Sequence, residues 1–226
     1  MFSEMMQKLW ETGELQRGIW ETVYMTLFST LFSYIIGLPI GLILTVTGKD
    51  GIRPVAAVNR VLGILVNAFR SVPFIILMVA MLPAAKAIVG TSFGNKAMIV
   101  TLVIAAAPYV ARMVESSIKE VDFGVIEAAK AMGTSSFKII YKVLLPEAKP
   151  ALIIGAVIST VTILGYSAMA GSIGGGGLGK IAITYGYQKY NPDIVWVCVV
   201  LTIIIVQVLQ EVGMLAARKI DKRIQK

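Results

Sequence analysis

The chain has 226 residues, 57% of them hydrophobic and only 15% charged, with a mean hydropathy of +0.79, whereas about a quarter of an ordinary soluble domain is charged. Its net charge of +8 would suit nucleic acid, but the basic residues sit at the ends of long apolar runs, where they anchor helices and set topology, so nucleic-acid binding is set aside. With no His and a single Cys, Cys198, inside an apolar run, the chain has no means to build a metal site or a disulfide framework.

Residues 1–18 read as an extracytoplasmic segment. Met1 to Glu21 carries Glu4, Glu11, Glu14 and Glu21 alongside Lys8 and Arg17, unlike the basic-then-apolar layout of a signal peptide, so the first apolar helix is expected to stay in the protein. A helix needs about 20 mostly apolar residues to cross a bilayer core, and five segments approach that length. The first, 22–47, is uncharged, and its Gly37, Pro39 and Gly41 mark a kink or a close helix neighbour. The second, 61–85, is interrupted by Arg70; the third is 93–114; Pro73 and Pro108 are expected to kink these two. The fourth is 151–170, and the fifth, which Pro192 starts, is 194–213. The expected fold is an all-α integral membrane protein of about five spans in one transmembrane domain, 19–213, with a basic tail at 214–226.

Five spans place the termini on opposite sides, and the Lys/Arg bias decides which is inside. With the N-terminus outside, the inner segments hold fourteen basic residues: Lys49, Arg53 and Arg60; Arg112, Lys119, Lys130, Lys138, Lys142 and Lys149; and Arg218, Lys219, Lys222, Arg223 and Lys226. The outer segments hold six: Lys8, Arg17, Lys86, Lys96, Lys180 and Lys189. The C-terminus is therefore expected in the cytoplasm.

The longest cytoplasmic segment, 115–149, alternates apolar and charged residues at helical spacing, which calls for a protein cover over its apolar stripe. Val125 to Met132 favours helix and Gly133 breaks it. Thr134 or Ser135 can cap a second helix through Phe137 to Leu145, with Pro146 expected to stop it. Two short helices at an angle result, set on the inner face of the membrane.

That loop reads EAAKAMGTSSFKIIYKVLLP from Glu127 to Pro146. It resembles the EAA motif of ABC importer permeases, in which Glu-Ala-Ala, three residues, Gly, nine residues and Ile-x-Leu-Pro follow in order; Val143 replaces the motif's Ile. FRSVPFIIL (69–77), AAPYVARMVE (106–115), KVLLPEA (142–148), GYSAMAG (165–171) and GGGLG (175–179) extend the resemblance along nearly the whole chain, to the methionine permeases of that superfamily. The EAA motif alone marks only the superfamily; GYSAMAG and FRSVPFIIL point to methionine. The resemblance implies a transport subunit of the bacterial cytoplasmic membrane, paired with a second copy of itself. It implies two ABC ATPase subunits that bind ATP and Mg, and an extracytoplasmic methionine-binding protein. Coupling to the ATPase falls on Glu127, Ala128, Ala129, Gly133, Leu145 and Pro146. The small Ala pair suits close approach to a partner, and the Gly suits a sharp turn.

The glycine run at 174–180 matches parts of a phosphate-binding loop and of a dinucleotide fingerprint. Ile181 stands where the first needs Ser or Thr, a membrane helix stands where the second needs a strand, and topology places the run outside. A flexible external turn or gating loop beside the translocation path is the expected reading. With no nucleotide site and no cofactor of its own, the chain needs energy from a separate ATPase. Tyr166, Ser167 and Met169 fall at the outer end of the fourth span, where a soft Met and a polar Tyr-Ser pair suit a thioether amino acid; plain packing is the alternative for Met169. Arg70 is either a functional charge within a span or a residue at its cytoplasmic edge. A secondary transporter would carry acid or His relays in its spans, and a membrane enzyme a nucleophile, acid pair or metal set; neither pattern is present. Permeases for other amino acids, osmolytes or anions remain the nearest alternative.

Overall fold

The computed structural model describes residues 4–220. Lys222, Arg223 and Lys226, which the sequence assigns to a cytoplasmic tail, lie outside the described residues. The elements are α1 (Glu4–Glu11), α2 (Glu14–Thr47), α3 (Ala56–Ser71), α4 (Phe74–Ala80), α5 (Leu82–Val89), α6 (Asn95–Lys119), α7 (Phe123–Ala131), α8 (Ser136–Ile139), α9 (Leu145–Ser172), α10 (Gly177–Ile181) and α11 (Pro192–Ile220). Wider, π-type turns occupy Ile140–Leu144 and Ala182–Tyr187. No strand occurs among the described residues, and the protein is all-α as expected.

Four helical stretches, 14–47, 95–119, 136–172 and 192–220, are long and apolar enough to cross a membrane, and α3 with α4 make a fifth when taken together across a bend of 104°. This bend is the kink expected at Pro73, sharp enough to end one helix and start another. Pro73 lacks an amide hydrogen and disfavours helical backbone at Val72, and it adopts φ −53°, ψ 132°, beyond the end of α3. Its carbonyl then accepts from Ile76 N (3.0 Å) and Leu77 N (3.1 Å), which starts α4. Pro108 differs: α6 runs through it without a break, as membrane helices allow when neighbours re-satisfy the freed carbonyl. α2 begins at Glu14, earlier than expected. α6 extends to Lys119 and α9 starts at Leu145, so the segment outside long helices is 120–144.

The chain divides into two compact units. The first comprises residues up to Phe32, Val72–Ala106 and Thr160–Gln210; the second comprises Ser33–Ser71, Ala107–Ser159 and residues from Glu211 on. In the first unit one core gathers Met25, Met78, Met98, Leu102 and Ala170. A second joins α1 to α10 and α11 through Met6, Leu9, Leu178, Ile181 and Ile194. The three tryptophans, Trp10, Trp20 and Trp196, all belong to this unit and are exposed, a placement suited to the headgroup layer, where the ring is apolar and the indole N–H stays wet.

In the second unit α2 lies against α6 through a small-residue face. A Cβ on Gly37 would come within 2.7 Å of Val110 Cγ1, and one on Gly41 would collide with Ala111 O and lie 2.8 Å from Val114. The close helix neighbour expected from Gly37, Pro39 and Gly41 is therefore α6. Tyr34 and Ser159 hydroxyls meet at 3.4 Å, and Ser117 donates to Ala151 O at 3.2 Å. Gly-to-Ala changes should accordingly take opposite signs by position. Gly41→Ala should destabilise the detergent-purified protein by about 1–3 kcal/mol through overpacking. Gly165→Ala, at a helical site with nothing within 4 Å of the new methyl, should stabilise it by about 0.5–1 kcal/mol; thermal unfolding of the two variants measures the contrast.

Candidate functional site

The EAA segment forms a helix, a turn and a second helix. α7 starts on Asp122, whose carboxylate accepts from Gly124 N at 2.7 Å. It ends in a Schellman closure: Gly133 N donates to Lys130 O (2.9 Å) and Thr134 N to Ala129 O (3.2 Å), with Gly133 at φ +72°. Gly133 thus reverses the chain by adopting the left-handed conformation that closes this cap. Ile126 and Ala129 face inward, while Glu127 and Ala128 stay exposed. Phe123, Met132, Phe137 and Tyr141 add an exposed apolar surface, with Met132 78% and Phe137 77% accessible.

Ser135 occupies the cap position of α8. The expected stop at Pro146 does not occur: the helical stretch that begins at Ser136 runs on to Ser172. The π turn at Ile140–Leu144 is the physical reason. Leu145 N reaches back to Ile140 O, which widens the helix where a proline ring would otherwise press on the carbonyl four residues earlier. Pro146 sits exposed in the first turn of α9, Leu145 is half-buried, and Leu144 is buried.

In the first unit, Tyr166 stacks on Phe74 with ring centroids 3.7 Å apart and planes at 12°, so α9 grips the helix that follows the Pro73 break. Ser167 is buried, donates to Leu164 O (2.7 Å) and accepts from Thr26 Oγ1 (3.5 Å). Met169 is 45% exposed. Arg70 belongs to the second unit, exposed on the last turn of α3, where its charge favours the helix C-terminus. Tyr166, Ser167 and Met169 share one stretch of α9 in the first unit, whereas Arg70 belongs to the second.

The glycine turn after α9 is held fast, which corrects the expectation of a flexible loop. Three successive amides are taken by side chains: Gly176 N donates to Asn95 Oδ1 (2.8 Å), Gly177 N to Glu21 Oε2 (2.9 Å) and Leu178 N to Thr22 Oγ1 (2.9 Å). Gly94 N donates to Gly174 O and Gly175 N to Ala170 O. Gly177 requires φ +85°, and a Cβ on Gly176 would strike the Glu21 carboxylate. These amides serve as the turn's own scaffold.

The model of binding-protein-dependent transport system inner membrane components matches residues 20–226. The chain belongs to this family. It is 47% identical over 204 residues to the probable D-methionine transport system permease protein of Vibrio cholerae, covering 90% of this chain and 91% of that one. It is 49% identical over 210 residues to the methionine import system permease protein of Bacillus subtilis, covering 93% and 95%. Among solved structures, an inward-facing conformation of the MetNI methionine ABC transporter has a TM-score of 0.92 and 46% identity, covering 98% of this chain and all of that one. This permease is thus an inner-membrane component of a transport system, with the all-helical fold that its sequence implied.

Sequence reading missed two polar clusters of the permease. Glu115, buried near the end of α6, accepts from Arg112 and, at 2.7 Å, from Lys119; Arg112 in turn donates to Asn67 Oδ1 (2.9 Å) and Gly63 O (3.4 Å) of α3. The i−3 and i+4 spacing of its two cations was a readable signal; the reach to Asn67 was not. The Glu21, Thr22 and Asn95 clamp had no signal, because its partners stand 81 and 156 residues apart in the chain. Removing Glu21 leaves the Gly177 amide without its acceptor, at a cost of about 1–3 kcal/mol. Glu21→Ala should therefore speed hydrogen exchange at Gly176–Leu178 by about tenfold or more while leaving α7 unchanged, as measured by exchange mass spectrometry.

Proposed function

We propose that this chain is the permease subunit of an ATP-driven importer that carries methionine, the L-form, the D-form or both, across the cytoplasmic membrane. The observation that supports it most is the EAA element, an exposed apolar two-helix projection whose second helix continues as the span bearing Tyr166, Ser167 and Met169. The relatives' stated substrate supplies the choice of methionine. In this reading the chain works as a homodimer, each copy docking one ATPase, since one chain offers one docking element and two-fold pairing supplies the second. A methionine-binding protein delivers substrate to the outer face. ATP and Mg bind the ATPase, and this chain contributes no cofactor.

Glu127 and Ala128, on the open side of α7, meet the ATPase groove. Ala129 seats α7 on the permease, and Gly133 sets the angle between the two helices. Leu145 and Pro146 begin the span, so that displacement of α8 is passed along a helical stretch of 37 residues, about 55 Å at 1.5 Å per residue. Met169 and Tyr166 line the path at its far end, Ser167 fixes that stretch against α2, and Arg70 stands at the break within the second span. Residues 1–18 lie outside, 19–213 form the transmembrane domain, and the basic residues Arg218 and Lys219 at the end of α11 lie on the cytoplasmic side.

Gly133→Val tests the coupling role with little steric confusion. A Cβ there meets nothing within 4 Å, so the penalty is the left-handed backbone alone, about 1–2 kcal/mol, concentrated on the docking angle. In proteoliposomes holding the permease, its ATPase and the binding protein, the native complex should take up labelled methionine on ATP addition. The variant should lose uptake at least tenfold while the permease still assembles in the membrane. Full uptake by Gly133→Val would refute the coupling role, and import of a different solute by the native complex would refute the substrate.

A further inference from the structure

Beside the clamped glycine turn the first unit contains a cavity of about 290 Å³, lined by Glu14, Arg17, Glu21, Asn95, Lys180 and Tyr185 and floored by glycine backbone at 174–177. Its size is at the small end of ligand pockets. Two of its four charges are already matched: Arg17 Nε donates to Glu21 at 3.0 Å, and Glu21 holds Gly177 N. The other two are available. Lys180 makes no ion pair among the described residues. Glu14 and Tyr185 line the cavity together, and the nearby Glu14 carboxylate pushes the Tyr185 phenol above its ordinary ionisation range; a carboxylate has acceptor capacity for more than one partner.

We propose that this cavity binds a zwitterionic α-amino acid, with Lys180 receiving its carboxylate and Glu14 its ammonium group. The charge pattern selects that class. A simple anion that approached Lys180 would also face Glu14 and Glu21, and a simple cation that approached Glu14 would face Arg17 and Lys180; like-charge juxtaposition rejects each. A molecule carrying both charges on one carbon meets a complement for each. Glycine lining removes side chains from the floor, so the ligand's polar end can approach the main chain. Which amino acid enters rests on the function proposed above; the zwitterion class rests on the cavity.

The test uses Lys180 itself as the reporter. The permease–ATPase complex, without binding protein, is treated with a water-soluble N-hydroxysuccinimide ester, and acylation of Lys180 and of exposed Lys86 is followed by peptide mass spectrometry. L-Methionine should slow Lys180 acylation at least fivefold and saturably, with Lys86 unaffected. Methioninol, which lacks the carboxylate, and 4-(methylthio)butanoate, which lacks the ammonium group, should not. Glu14→Gln should raise the methionine concentration needed for protection about tenfold. Unchanged Lys180 acylation in a complex that imports methionine would overturn the site alone, as would equal protection by either analogue. Protection seen only when the binding protein is added would assign Lys180 to a protein contact and also overturn it. Protection by another amino acid, in a complex that imports that one and not methionine, would uphold the site and overturn the substrate assignment.

Discussion

Every backbone amide and carbonyl of this chain that lies in lipid must find its partner inside the protein, because hydrocarbon offers none. Long helices meet that demand unaided, so the informative places are those where helix is given up. At Pro73 the exposed carbonyl is taken by the first amides of α4. At 174–178 three amides in a row are taken by Asn95, Glu21 and Thr22. At Gly133 two amides fold back on the last carbonyls of α7. Each departure is closed by its own set of partners, and each set fixes a structural feature: the broken second span, the charged cavity, and the angle between α7 and α8.

The same constraint explains why α8 and the fourth span form one helical stretch. A free joint at Pro146 would leave carbonyls open where the chain enters the membrane, and it would bend when pushed. The π turn at Ile140–Leu144 solves both difficulties, since it gives the proline ring room without ending the hydrogen-bonded series. A loop that docks on another protein is useful for coupling only if its displacement reaches the span. Local hydrogen-bond chemistry, more than the identity of Glu127 or Ala128, provides that stiffness.

Features encoded by local pattern were legible in the sequence. Apolar run length located the spans, Gly133 announced the end of α7, and the Gly37–Gly41 spacing announced a close helix contact, because each depends on residues within one or two turns. Features made by distant partners were not legible. Nothing near Glu21 in the chain indicates that its carboxylate will hold Gly177, and the glycine run taken alone reads as flexible because its amide partners lie on α2 and α6. The stop expected at Pro146 failed for a related reason: a proline ends a regular α-helix, and the rule does not anticipate a widened turn just ahead of it. Among the candidate site residues, Tyr166, Ser167 and Met169 were found together because they are neighbours in sequence. Arg70 was added on its depth in an apolar run, and the break at Pro73 instead leaves it at a helix end.

The buried face of α2 suits uncharged polar chemistry. Thr22, Thr26, Ser29 and Ser33, spaced at four, three and four residues, share one side of the helix and are all buried. Thr22 and Thr26 are engaged, while the Ser29 and Ser33 hydroxyls make no hydrogen bond among the described residues. Hydroxyls supply polarity in a membrane interior at far lower cost than a carboxylate or an ammonium group. Such a face adds polarity to the helix without adding a charge. The charges instead collect at helix ends, around Glu115 on α6 and around Glu14 and Lys180 near the glycine turn. Under the function proposed above, the segment from Phe123 to Leu144 is the part of this chain that would receive a mechanical driving force.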